Sequence, residues 1–207
     1  MSYQTKPELS FSDKELIDLA IAWIVLSVAF ALILSPIPQG TDTTGTFVMM
    51  IALSFVTVGV GFICHELAHK VVAIRYGQVA EFRADYQMLF LAIMSALIGF
   101  LFAAPGAVYH AGRITERENA MIAVVGPLTN HGLALLFFPL LFVPGLSIVG
   151  HMGVLINLFL AAFNMIPFGP LDGKSVWNWS KPVFAAVFLS SAALLAGFIM
   201  VFGLGFW

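Results

Sequence analysis

The sequence predicts an all-α polytopic membrane protein with about five spanning helices and one re-entrant or in-plane segment. Three observations predict it. Of 207 residues, 60% are hydrophobic and only 10% charged, against about 45–50% and about 25% in soluble domains. The mean hydropathy is +0.99. The apolar residues fall into long runs separated by short polar stretches. A soluble globular fold is excluded, because it needs far more charge to cover its surface. Nine Lys+Arg and a net charge of −2 exclude a nucleic-acid partner and a disordered regulator. The single cysteine, Cys64, excludes an internal disulfide framework.

Residues 1–16 form a polar tail without the pattern of a cleaved leader. Ser12 and Glu15 match a capping box, so a helix is expected to start near Asp13. The first span is read as Ile17–Leu34, with Asp18 at its edge and Pro36 and Pro38 behind it. Residues 38–45 are rich in turn formers. Thr46–Ile74 is the second apolar run, long enough to cross with a margin. Later runs cover about Ala120–Val143, Ile148–Ile166 and Val183–Trp207. No second domain is expected, so 1–207 is read as one membrane domain.

Met88–Ala104 is the exception. Its 17 residues would reach roughly 25 Å as a helix, short of a core about 30 Å thick. Charge decides between crossing and returning. If the run returns, there are five spans. All nine basic residues (Lys6, Lys14, Lys70, Arg75, Arg83, Arg113, Arg117, Lys174, Lys181) then share the N-terminal, cytoplasmic side. If it crosses, they divide five against four. The one-sided arrangement predicts a returning segment, whose irregular backbone needs protein or water around it.

His65-Glu66-Leu67-Ala68-His69 is an H-E-x-x-H pattern inside an apolar run. Positions i and i+4 share a helix face, so both imidazoles can reach one ion, and Glu66 stands beside them as a base. Ionisable groups at such depth are costly and usually functional. Zinc in a catalytic site takes three protein ligands, and the third is open among Asp172, Glu116, Glu118, His110, His131 and His151. Asp172 stands out, since Pro167 and Pro170 break the helix ahead of it. The five-span topology brings it to the depth of His69. His131 is the best of the remaining histidines for a supporting contact; Cys64 points off the ligand face.

These motifs resemble the site-2 protease family of intramembrane zinc metalloproteases, in a short form without PDZ or CBS domain. The resemblance rests on His65–His69, on Gly126-Pro127-Leu128-Thr129-Asn130, and on Asn164-x-x-Pro167-x-x-x-Leu171-Asp172-Gly173. It covers a catalytic core of about 46–175. It implies one Zn²⁺ per chain held by His65, His69 and Asp172, with Glu66 as general base and Asn164 at the substrate carbonyl or oxyanion. Asn130 and Pro167 are implied to orient the core or the substrate. It further implies regulated cleavage of transmembrane proteins; the five-span topology, for its part, sets the chain in the cell membrane with its N-terminus and zinc site towards the cytoplasm. A small β-hairpin often follows the zinc helix in this family, and Gln78–Ala84 and Gly106–Gly112 could supply its strands. Two other readings compete. One is a CAAX-processing type of membrane zincin with Glu116 or Glu118 as third ligand; the other is a metal transporter.

Overall fold

The structure, a computed structural model, describes residues 8–34, 43–102 and 104–204. The expected prolines 36 and 38 and most of the 38–45 turn lie outside them. Five helical stretches among the described residues are long and apolar enough to cross a membrane: Asp13–Leu34, Gly45–Arg75, Glu116–Phe142, Ser147–Asn164 and Lys181–Phe202. They contain α1 (Asp13–Leu34), α2 (Thr43–Ser54), α3 (Val60–Arg75), α5 (Glu116–Phe137), α6 (Ser147–Asn164) and α8 (Lys181–Phe202). Between them lie β1 (Val79–Ala84), α4 (Tyr86–Leu97), β2 (Gly106–Ala111) and α7 (Asp172–Trp179).

α1 begins four residues before the expected span. Ser12 caps it, its Oγ accepting from Glu15 N–H at 3.1 Å. The reciprocal half of the box is missing, because the Glu15 carboxylate is used elsewhere. Its Oε1 accepts from Phe82 N–H at 2.9 Å and its Oε2 from Lys70 Nζ at 2.5 Å. One turn on, Asp18 accepts from Ala84 N–H at 3.4 Å and from the Tyr86 hydroxyl at 2.5 Å. Two carboxylates of α1 therefore satisfy N–H groups of β1, where a strand edge would otherwise stay open. Both acids are about 1% exposed.

α2 and α3 are one continuous rod joined by a π turn at Phe55–Gly59. Such a turn leaves backbone groups to be satisfied from outside. Trp23 Nε1 donates to Phe55 O at 2.9 Å, and Thr57 Oγ1 donates to Leu53 O at 2.7 Å. The Trp23 ring lies where a side chain at residue 59 would be, so Gly59 makes the contact possible.

β1 and β2 form an antiparallel pair, from Val79 opposite Ala111 to Ala84 opposite Gly106. The pairing closes the doubtful apolar run into a loop, and Asp85 N–H donates to Pro105 O at 3.0 Å. Both ends of the insert thus meet at one point, and the segment returns to the side it left. Among its described residues only Tyr86–Leu97 is helical, 12 residues, or about 18 Å. Asp85 caps it by accepting from Gln87 and Met88 N–H, and Gly99 turns the chain at φ +81°. α4 packs on α1 through Ala29, Ala92 and Ala96, small residues that let two helices approach closely.

Candidate metal centre

α3 presents His65, Glu66 and His69 to the bundle interior, each less than 9% exposed. Opposite them, the turn after α6 carries Asp172 to the start of α7. Gly173 makes that placement possible, since a Cβ there would stand 2.1 Å from Met165 O. Asp172 Oδ2 lies 3.1 Å from His65 Nε2 and 3.4 Å from His69 Nε2. These three donor atoms lie within 4.8 Å of one another, the one such group among the described residues.

The other imidazole nitrogens are already engaged. His69 Nδ1 is 2.6 Å from Ile122 O, a backbone acceptor, so Nδ1 carries the proton. His65 Nδ1 is 2.6 Å from Asn130 Oδ1. The Asn130 amide donates to Gly61 O at 3.2 Å and to Asn157 Oδ1 at 2.9 Å, which identifies its oxygen as the atom facing His65. Both Nε2 atoms are left facing Asp172, whose Oδ2 finds no hydrogen-bond partner among the described residues. Donor atoms crowded this closely need a proton or a metal ion among them. Zinc bonds of about 2.0–2.1 Å at a tetrahedral angle put ligand atoms about 3.3 Å apart, which the observed 3.1 and 3.4 Å match. Glu66 Oε2 is buried next to this group without a hydrogen-bond partner among the described residues. The residues fit a metal ion.

α5 closes the site from behind. Gly126 faces both histidines: a Cβ there would stand 2.5 Å from His69 Nε2 and 2.6 Å from His65 Nε2. Pro127 follows inside the helix and withholds an N–H from the preceding turn. The Gly-Pro-Leu-Thr-Asn run thus supplies room at Gly126 and an acceptor at Asn130. Asn130 is fully buried and lies behind His65.

In front is a cavity of about 180 Å³, lined by His65, Glu66, His69 and Asp172 together with Asn164 and His110. Asn164 Nδ2 donates to Leu160 O at 3.0 Å, one turn back on its own helix. Pro167 is exposed in the turn before α7 and does not line the cavity, whereas Pro170 does. β2 enters the wall with Gly106, Ala107 and Val108.

Of the other candidate ligands, His110 lines the cavity without joining the ligand group, and the rest go elsewhere. Glu118 closes a capping box with Thr115 at the start of α5, and Glu116 is exposed in the same turn. His151 packs edge-on against Phe198, with ring centroids 5.2 Å apart. His131 does not support a ligand: its Nε2 is 3.0 Å from Ser191 Oγ of α8, because one step along α5 from Asn130 turns it to the opposite neighbour. Sequence reasoning missed Asn157, a fully buried amide in the apolar α6. An amide at that depth was the available signal.

A bundle of membrane-length helices around a buried H-E-x-x-H and a converging aspartate defines a membrane protein of the metallohydrolase class. The chain belongs to a family of zinc metalloproteases. It is 43% identical over 183 residues to a Methanocaldococcus jannaschii protein named "Putative zinc metalloprotease MJ0611", covering 86% of this chain and 90% of that one. It is 29% identical over 143 residues to "Putative zinc metalloprotease YwhC" of Bacillus subtilis, 58% of this chain and 65% of the other. It is 30% identical over 130 residues to "Zinc metalloprotease MJ0392" of M. jannaschii, 60% of this chain and 33% of the other. No protein-family model and no solved structure matches the chain.

Proposed function

We propose that this chain is an intramembrane zinc protease of the site-2 type, which hydrolyses peptide bonds in or near transmembrane segments of other membrane proteins. The observation that carries the reading is the juxtaposition of Asp172 with the Nε2 atoms of His65 and His69. His65, His69 and Asp172 would hold one Zn²⁺ per chain. Zinc there would supply Lewis-acid polarisation of the scissile carbonyl and make a neighbouring water easier to deprotonate. Glu66 takes the proton from the attacking water and hands it to the leaving amine. Asn164, at the cavity wall, retains an amide hydrogen for the developing oxyanion.

A helical substrate hides its carbonyls and has to unwind first. The edge of β2 away from β1 pairs with no other strand among the described residues, and β2 lines the same cavity. An extended substrate segment adding to that edge would gain backbone hydrogen bonds beside Glu66. The chain lies in the cell membrane with its N-terminus and zinc site towards the cytoplasm, as the one-sided basic residues favour.

Purified protein in liposomes, assayed for zinc and for cleavage of a transmembrane test substrate, decides the matter. One zinc per chain and cleavage abolished in Glu66→Gln support the reading. Zinc-free protein, or metal flux without cleavage, overturns it.

A further inference from the structure

Asn157 takes no part in the cavity, yet it is a fully buried amide in the middle of α6. Its Nδ2 donates to Gly153 O at 2.8 Å, on its own helix. Its Oδ1 then has to face α5, where it accepts from Asn130 Nδ2 at 2.9 Å. That amide also donates to Gly61 O at 3.2 Å and presents its oxygen to His65 Nδ1 at 2.6 Å. Gly61 leaves the space, since a Cβ there would stand 2.8 Å from Asn157 Oδ1.

Both ends of this chain of bonds are backbone carbonyls, which can only accept. Its polarity therefore has one solution. Turning the Asn130 amide over would set its oxygen against Gly61 O and Asn157 Oδ1, two contacts between acceptors. It would also ask His65 Nδ1 to accept, moving the ring proton to Nε2 and removing the lone pair that faces Asp172.

We propose that Asn157 is a positioning residue that fixes the orientation of the Asn130 amide and, through it, the ring tautomer in which His65 offers Nε2 to a metal. The inference rests on the zinc reading above. Outer contacts of this kind typically alter metal affinity by about 10–100-fold. Asn157 acts from a second helix, one hydrogen bond further out than Asn130.

The test compares wild type with Asn157→Leu and Asn157→Asp in detergent, using chelator competition for zinc and the visible spectrum of the Co²⁺-loaded protein. Leucine is nearly isosteric and removes both bonds. A protonated aspartic acid keeps them, its hydroxyl donating to Gly153 O and its carbonyl accepting from Asn130. Zinc affinity is expected to fall about 10-fold or more in Asn157→Leu with an altered Co²⁺ spectrum, and to stay near wild type in Asn157→Asp. Should the leucine variant fail to fold, Asn157→Ala replaces it in the same two measurements, and ¹⁵N NMR of the metal-free proteins reads the tautomer. A His65 proton held on Nδ1 in wild type and redistributed in the variant supports the inference, and the same tautomer in both overturns it. Wild type that binds zinc while Asn157→Leu binds equally tightly with an unchanged spectrum overturns this inference alone. Wild type that binds no zinc overturns the zinc reading as well.

Discussion

Lys70 Nζ and Glu15 Oε2 are 2.5 Å apart, and both side chains are about 1–2% exposed. Lys70 directly follows His69, so this pair ties the histidine helix to the start of α1. Lys70 also donates to Ser10 O and lies over the Phe11 ring, 4.0 Å from its centroid. Through its other oxygen Glu15 holds β1. Removing one partner strands a buried charge, which costs about 3–5 kcal/mol. Lys70→Met is expected to lower thermal stability clearly, and the double variant Glu15→Gln/Lys70→Met to recover part of the loss. Scanning fluorimetry in detergent reads both; a single variant as stable as wild type would contradict the arrangement.

Gly126→Ala is expected to destroy metal binding with little effect on folding. The added methyl would meet His65 and His69 Nε2 at 2.5–2.6 Å, closer than any real carbon contact. Zinc content should drop by at least about 10-fold, on the scale set by disturbed ligand orientation. Gly132→Ala serves as a control, because no atom lies within 4 Å of the added carbon.

The third ligand is separable by substitution. Asp172→Ala should lose zinc, whereas Glu116→Ala and Glu118→Ala should keep it. Glu118→Ala should instead cost about 1 kcal/mol or less, through the lost half of its capping box. Zinc loss at either glutamate would favour the CAAX-processing type.

Glu66→Gln should keep zinc and lose cleavage by about 10²–10⁴-fold, the usual span for removing a general base. Its Oε2 has no other partner to lose among the described residues. Parallel metal analysis and cleavage assay of one preparation checks both halves.

Topology is testable at the cavity wall. In a Cys64→Ser background, His110→Cys should react with a membrane-impermeant thiol reagent from the cytoplasmic side. Labelling only from outside would contradict the five-span arrangement.

The five spans were legible in the sequence because membrane-length apolar runs are a matter of composition and length. The H-E-x-x-H pattern was legible because two histidines four apart share a helix face whatever surrounds them. The return of the 88–104 run was legible indirectly, through charges that a crossing would have split. Its closure by β1 and β2, and the shrinkage of its helix to Tyr86–Leu97, depend on pairing between residues 22 to 32 positions apart.

Other features depended on which helix faces which. Glu15 reads as a local cap, but tertiary contact gives its carboxylate to Lys70 and Phe82. His131 and Asn130 are neighbours in the chain, yet one faces Ser191 and the other His65. By itself, the sequence determined the class of protein, the number of crossings and the chemistry of two imidazoles and a carboxylate in apolar surroundings. Only the tertiary structure brought Asp172 up to the two Nε2 atoms, left room beside them at Gly126 and linked Asn157 through Asn130 to His65. Hydropathy and helical period are properties of one segment, whereas a donor facing an acceptor across two helices is a property of their packing.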